Sequence, residues 1–272
     1  MPIPLSADAV AAAIQGRFGR PCRYLPSVDS TNSYALVWAA EEGAGEGAIV
    51  TTDHQTAGRG RRGRTWFDEP GTSVLFSLVL RPRLPFEGLG LLPVALGTAV
   101  AEALRSYGID GRTKWPNDVT VNDRKIAGIL VETKLIGSRV DIAVAGIGLN
   151  HDWSGVEVPS GLTDVATSLG REAPGVLPER PDVLARILLA IEELYPLVVD
   201  GSRVSELLDR ARSLSSVLGR RIAIRTADGT LVGGIARDLM PDGGLKVDAE
   251  RGSRVFHVGE IEQLRPIPGP SD

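Results

Sequence analysis

The sequence predicts an α+β protein, with a larger domain over residues 1–217 and a small β-barrel of SH3 type over residues 218–272. Three observations predict it. The centre of the chain is rich in strand patterns, Asp182–Val199 carries one long apolar stripe at helical spacing, and after Leu218-Gly219 short strands are separated by Asp-Gly turns. At about 150 residues per domain, 272 residues suit one large domain or two unequal ones.

From the N-terminus, Val10, Ala13, Ile14 and Phe18 fall near helical spacing, with Ser6 placed to cap a helix over Ser6–Phe18. Gly19-Arg20-Pro21 follows too soon for a helix-turn-helix DNA reader. A second helix is expected over Thr31–Glu42, entered through Asp29-Ser30 and stopped by Gly43. Ala48–Thr52 is short and β-branched; Ser73–Leu80 alternates Val74, Phe76 and Leu78 with smaller neighbours until Arg81-Pro82 closes it. Leu89–Tyr107 is the longest apolar helix candidate, with Pro93 near its first turn and Gly108 after its end.

Asp118–Asn122 and Lys125–Glu132 read as a hairpin around Asn122-Asp123-Arg124, and Val140–Leu149 as a strand apolar on both faces. Asn150–Arg180, with Pro159, Pro174 and Pro178, reads mostly as loop with room for a short helix. Val183, Ile187, Leu188, Ile191 and Leu194 trace the stripe of Asp182–Val199, and a shorter helix runs over Val204–Leu214. The tail offers Ile222–Thr226, Leu231–Leu239, Gly244–Asp248 and Ser253–His257, four or five strands in about fifty residues.

Composition excludes several functions. Thirty Lys+Arg against 34 Asp+Glu leave a net charge of −4, which argues against non-specific nucleic-acid binding by the chain as a whole. A single cysteine, Cys22, excludes an intramolecular disulfide framework and a Cys-rich zinc site, and His54, His151 and His257 lie too far apart to show metal-ligand spacing. No apolar run approaches the roughly 18 residues needed to span a bilayer, and the N-terminus lacks a signal pattern. A cytoplasmic protein is the expectation.

Against that background, Gly58-Arg59-Gly60-Arg61-Arg62-Gly63-Arg64 stands out, with four arginines and three glycines in seven residues. Glycine lets backbone N–H groups approach an anion, and arginine supplies fork donors to phosphate or carboxylate. The same run also fits a solvated basic loop or an RNA-contacting segment. Trp66 follows at once, where its face can stack on a base. No Gly-Lys-Ser/Thr follows, so a Walker-type site is not supported.

Lys114-Trp115-Pro116-Asn117-Asp118 presents a cation, an amide and a carboxylate just before a strand, suited to ribose or Mg²⁺-water contacts or to accepting a proton from an amine; it is also ordinary turn composition. In Arg124–Glu132, Lys125 is either a strand-edge charge or points into a pocket, with Gly128 clearing room for a ligand. Gly146-Ile147-Gly148-Leu149-Asn150 ends a strand with two glycines and lacks the rest of a dinucleotide fingerprint. Asp29-Ser30-Thr31-Asn32 on its own is a helix cap. No nucleophile–base pair is visible, which favours chemistry whose nucleophiles arrive with the substrates.

The order and spacing of Asp29–Asn32, Gln55 with Gly58–Trp66, Lys114–Asp118, Arg124–Glu132 and Gly146–Asn150 resemble the biotin–protein ligase family. The similarity covers about Leu25–Leu169 and ends in Ala166-Thr167-Ser168-Leu169. The resemblance implies a mixed sheet flanked by helices, related to class II aminoacyl-tRNA synthetases, with residues 1–217 as the biotin- and ATP-binding ligase domain and 218–272 as the SH3-like tail. It implies activation of biotin with ATP to biotinyl-5′-AMP, with release of pyrophosphate. Transfer follows to a lysine of the biotin carboxyl carrier protein domain of acyl-CoA or pyruvate carboxylases. A DNA-reading head has no room before Leu25, so a ligase-only type, acting on neither DNA nor membrane as a monomer or weak homodimer, is expected.

Carried over by position, Ser30, Thr31, Asn32, Gln55, Arg59, Gly60, Arg61, Lys125, Gly128 and Gly148 would bind biotin. Arg59, Arg61, Arg62, Arg64, Trp66, Lys114, Asn117, Asp118, Lys125, Asn150 and Ala166 would bind ATP or the adenylate. Lys125, Arg59, Arg61, Arg64 and Asp118 are the implied catalytic set, Asp118 receiving or orienting the acceptor lysine's proton. Mg²⁺ would arrive with ATP near Asn117 and Asp118, without a cage made by protein alone. A lipoate–protein ligase shares the adenylation logic and is the nearest alternative; an RNA-binding module using the Arg/Gly loop is the other. The four like charges and the glycines predict a mobile loop over 58–64 in the empty protein.

Overall fold

The computed structural model describes residues 5–82, 84–226, 228–257 and 260–262. In chain order the elements are α1 (Ala7–Ala13), β1 (Cys22–Leu25), α2 (Thr31–Glu41), β2 (Ile49–Thr52), β3 (Ser73–Leu80), α3 (Leu91–Arg105), β4 (Arg112–Lys114), β5 (Asp118–Val121), β6 (Arg124–Ile136) and β7 (Arg139–Asn150). There follow α4 (Ser160–Thr163), α5 (Leu169–Glu172), α6 (Arg180–Val199), α7 (Val204–Leu214), β8 (Arg221–Arg225), β9 (Leu231–Leu239), β10 (Leu245–Ala249), β11 (Gly252–Phe256) and β12 (Glu260–Glu262).

The first seven strands form one mixed sheet in the order β1-β2-β3-β7-β6-β5-β4. β1 and β2 run parallel, joined through α2, and the remaining neighbours are antiparallel. β3 and β7 sit near the middle, which is why β3 is buried at every position and β7 is apolar on both faces. One core cluster packs α3 and α6 against this sheet, and a second packs Ala35, Trp38 and Ala39 of α2 against Val50, Val79, Ile142 and Val144. The β5–β6 hairpin turns on Asn122 and Asp123, both with positive φ (51° and 61°), as a two-residue loop requires; Arg124 already belongs to the strand.

Several expected boundaries move. α1 stops at Ala13, although Ser6 caps it by accepting from the Ala9 N–H (3.0 Å). β1 and β4 are short strands whose residues are all half-buried, too brief to show a period. The Leu89 start becomes a 3₁₀ turn, Phe86–Gly90, ahead of α3. Contrary to the expectation of no span-length apolar run, Gly88–Arg105 reaches 18 residues at a mean hydropathy of 1.3. With 67% of that stretch buried against α6, β6 and α7, it is the central helix of the core.

The last five strands form an antiparallel sheet in the order β11-β10-β9-β8-β12. Among the described residues no ladder joins β11 to β12; the five strands form the small C-terminal β unit expected after Leu218-Gly219. Its apolar face (Ile222, Ile224, Ala236, Leu239, Leu245, Val247, Phe256 and Ile261) belongs to the same core cluster as α3 and α7. The contact is backbone on backbone at the β9–β10 turn. A Cβ on Gly243 would stand 2.2 Å from the Gly90 carbonyl oxygen, and one on Gly90 2.3 Å from that of Asp242.

Candidate active site

One cavity of about 360 Å³ opens on the mixed sheet, within the range of small-molecule sites. Every residue expected to bind or act lines it: Ser30, Thr31, Asn32, Gln55, Arg59, Gly60, Arg61, Arg62, Arg64, Trp66, Lys114, Asn117, Asp118, Lys125, Gly128, Gly148, Asn150 and Ala166. Segments more than a hundred residues apart in sequence therefore meet in one wall. Lining residues that motif reading did not single out are Phe67, Trp153, Leu162, Val165 and, from the C-terminal sheet, Ile261.

The α2 end of the cavity is a polar network rather than a helix cap. The Ser30 side chain makes no capping bond; the Thr31 N–H donates instead to Gln55 Oε1 (2.9 Å), which also accepts from the Thr31 hydroxyl (3.1 Å). With its oxygen so engaged, Gln55 is left its amide N–H₂ to offer. Buried Ser77, on β3, lies 2.8 Å from Thr31 Oγ1 and 2.6 Å from Asn32 Oδ1. Both N–H bonds of the Asn32 amide are committed, to the Leu130 carbonyl (3.1 Å) and to Glu132 Oε2 (2.8 Å). Gly146 makes room for this amide, since a Cβ there would lie 2.3 Å from Asn32 Oδ1.

Gln55 is held from behind. Asp68 accepts from the Gln55 N–H (3.2 Å) and lies 3.0 Å from His54 Nδ1; burial pushes its carboxyl above the usual carboxylate range. Asp53, two residues upstream, pairs with Arg180 at 2.5 Å and accepts from the Tyr24 hydroxyl at 2.6 Å.

At the other end, Lys125 Nζ lies 2.6 Å from Asp118 Oδ1 and 5.4 Å from the Trp66 ring. Gly128, expected to clear room for a ligand, and Gly148 clear it for these side chains. A Cβ at 148 would sit 2.8 Å from the Trp66 indole, and one at 128 would sit 3.0 Å from that ring and 3.1 Å from Lys125 Nζ. The strand positions therefore have to be glycine for the indole to lie flat on the sheet. The buried Trp66 and Trp153 N–H groups find no acceptor among the described residues, leaving two donors for a bound molecule. Asn150 donates to the Thr167 carbonyl (2.8 Å), and Ala166 is drawn in by the Lys125 N–H to Val165 carbonyl bond (2.8 Å).

The Arg/Gly loop is tethered at several points. It folds through a 3₁₀ turn, Arg61–Gly63, with Arg62 at a left-handed φ of 56°. Arg59 reaches Glu132 (3.0 Å) and Ser33 (3.1 Å), Arg61 donates to Asn117 Oδ1 (3.2 Å), and Arg62 to the Arg225 carbonyl on β8 (3.4 Å). Its like charges are thus separated among different partners. Trp115, whose peptide bond to Pro116 is cis, donates its indole N–H to the Gly243 carbonyl (3.0 Å), tying the Lys114–Asp118 segment to the C-terminal sheet.

Among the described residues no group of three His, Cys, Asp or Glu side chains could hold a metal ion. Asn117 Oδ1 and Asp118 Oδ1 face Arg61 and the Lys125 ammonium, a donor set that does not fit a protein-held Mg²⁺ as these side chains stand.

Residues 24–150 match the family model described as "Biotin/lipoate A/B protein ligase family". The chain is 34% identical over 225 residues to the bifunctional ligase/repressor BirA of Bacillus subtilis, covering 82% of this chain and 68% of that one. It is 32% identical over 244 residues to the biotin–[acetyl-CoA-carboxylase] ligase of Mycobacterium tuberculosis, covering 87% and 86%. The solved biotin protein ligase from Aquifex aeolicus in complex with biotin and ATP superposes with a TM-score of 0.75 at 30% identity, over 89% of this chain and 98% of that one.

Proposed function

The chain belongs to the biotin/lipoate A/B protein ligase family, and from that premise we propose that it attaches biotin to a lysine of a biotin carboxyl carrier protein in two steps, the first of which consumes ATP. In the first, a carboxylate oxygen of biotin attacks the α-phosphorus of ATP, and the bond to pyrophosphate breaks as the acyl–phosphate bond forms. In the second, the neutral amine of the carrier lysine attacks the acyl carbon, the bond to AMP breaks, and the amine gives up a proton.

The observation that carries this reading is the juxtaposition, in one cavity, of a hydrogen-bonding wall (Thr31, Gln55), the Lys125 ammonium and the Arg/Gly loop. Bringing a carboxylate to a triphosphate opposes like charges, so fixed cations at the meeting point lower the barrier. We assign that work to Lys125, oriented by Asp118, and to Arg61 and Arg64. Ser30, Thr31 and the Gln55 amide suit the ureido head of biotin; Asn32 is braced by Ser77, Leu130 and Glu132. Trp66, Trp153, Asn117, Asn150 and Ala166 suit the nucleotide. Mg²⁺ supplies charge neutralisation on the triphosphate it accompanies, and no protein ligand is assigned to it.

The acceptor lysine, at its ordinary pKa of about 10.4, is almost wholly protonated at pH 7, so the second step needs a proton acceptor. Asp118 is the carboxylate we assign to it. Residues 1–217 carry the chemical groups, and 218–272 complete the wall through Ile261 and hold the Lys114–Asp118 segment through Gly243.

The test is incubation with biotin, ATP labelled at the α-phosphate and Mg²⁺, followed by chromatography. Biotin-dependent labelled biotinyl-AMP is expected, with no comparable product when lipoate replaces biotin. Adenylation of lipoate but not biotin would overturn the substrate assignment.

A further inference from the structure

Among the described residues, Glu132 is the carboxylate that pairs with Arg59 of the Arg/Gly loop, seven residues along β6 from Lys125. It stands on β6, half-buried, and brackets two segments at once: Arg59 Nη2 lies 3.0 Å from both of its oxygens, and Asn32 Nδ2 lies 2.8 Å from Oε2. The same Arg59 nitrogen reaches Ser33 Oγ (3.1 Å) in the first turn of α2. A negative charge beside a site that must admit a carboxylate and a triphosphate is unfavourable unless it is neutralised, and Arg59 neutralises it.

We infer that Glu132 is a positioning residue that seats the Arg/Gly loop over the cavity by holding Arg59, and that Arg59 acts through this clip rather than as a cation on the transferred phosphate. Arg61, Arg64 and Lys125 remain to meet the anionic substrates. Asn32, its N–H bonds committed to Leu130 and Glu132, couples the clip to the wall that carries Thr31 and Gln55. The role assigned to Arg59 rests on the proposed ligase reading; the seating of the loop does not.

The test pairs a measurement free of substrate with a kinetic one. In the full-length protein without ligands, Glu132→Ala should raise the rate of limited tryptic cleavage after Arg61, Arg62 and Arg64 by about two- to fivefold, the range of a half-exposed ion pair. Arg59→Ala should do the same, and the double variant no more than either alone, because one clip is being removed. Glu132→Gln, which keeps the acceptor for Asn32 and the shape, gives the readout if Glu132→Ala fails to fold.

In biotin- and ATP-dependent adenylation, all of these variants should raise KM severalfold with kcat changed less than twofold. Unchanged cleavage in Glu132→Ala and Glu132→Gln would overturn the seating role whatever the substrate. An Arg59→Ala enzyme that loses kcat a hundredfold while Glu132→Ala keeps it would return Arg59 to the phosphate.

Discussion

The Lys125 ammonium and the Asp118 carboxylate meet at 2.6 Å across the β5–β6 hairpin, and the lysine side chain reaches its partner by passing over Gly128. A charge held in place before substrate arrives needs no reorganisation when negative charge builds up on the phosphorus. Lys125→Ala should therefore depress adenylate formation about 100- to 1000-fold, read as biotin-dependent exchange of labelled pyrophosphate into ATP. Exchange at the wild-type rate would remove Lys125 from the first step.

Asp118 has two assigned duties, orienting Lys125 and receiving a proton in the second step, and Asp118→Asn separates them. The amide keeps a hydrogen-bond acceptor for Lys125 but is not a base. Single-turnover transfer from preformed adenylate to carrier should fall at least tenfold further than adenylation does. A uniform loss in both half-reactions would leave only the orienting duty.

Gly146 and Gly148 lie on one face of β7, and each is matched to a different side chain. Gly146→Ala drives a methyl into the Asn32 amide, which its bonds to Leu130 and Glu132 hold in place, whereas Gly148→Ala drives one into the Trp66 indole. Overpacking of this kind costs about 1–3 kcal/mol, or about 5- to 150-fold in an equilibrium constant. The alanine at 146 should appear mainly in KM for biotin and that at 148 mainly in KM for ATP, each from initial-rate series in the two substrates. The reverse pattern would exchange the ends of the cavity.

Cys22 lies on the edge strand β1, where burial pushes its thiol pKa up from 9.0 to about 11. Alkylation by iodoacetamide in the native protein should accordingly rise only as pH approaches 11, while the urea-unfolded chain reacts near pH 9. A folded pKa above the unfolded one means that the stabilising contribution is complete below pH 9 and is lost as pH rises through 11. Set against Cys22→Ser, which does not titrate, the wild type should lose melting temperature between pH 9 and 11. Equal pH profiles for the two proteins would show the thiol to be unperturbed.

Much of this was legible from the chain because strong patterns are local. Ser73–Leu80 ends where Arg81-Pro82 falls, Val204–Leu214 has the bounds its pattern predicts, and the ordered motifs converge on one cavity. What escaped was set by partners distant in sequence. Ser77 reads as a small residue alternating in a buried strand, and only the arrival of α2 over β3 gives its hydroxyl Thr31 and Asn32 to bond. Gly128 and Gly148 announce space on a sheet face but not its occupant, the indole of Trp66. Ile261 is an ordinary apolar strand residue until the C-terminal sheet docks.

That docking rests on Gly243, which combines a left-handed φ of 82° with a Cβ position 2.2 Å from the Gly90 carbonyl oxygen. Gly229 shares the first property, with a φ of 85°, but a Cβ there would meet nothing within 4 Å. The pair separates backbone strain from loss of contact. Gly229→Ala should cost about 1–2 kcal/mol in stability and leave adenylation intact. Gly243→Ala must also push the β9–β10 turn away from α3, removing the Gly243 carbonyl from Trp115 and Ile261 from the cavity wall. Its KM for ATP should rise at least fivefold while the mixed sheet stays folded, seen as an unchanged near-ultraviolet tryptophan signal at 25 °C apart from Trp115. If Gly243→Ala and Gly229→Ala behave alike, the C-terminal sheet has no part in holding the Lys114–Asp118 segment.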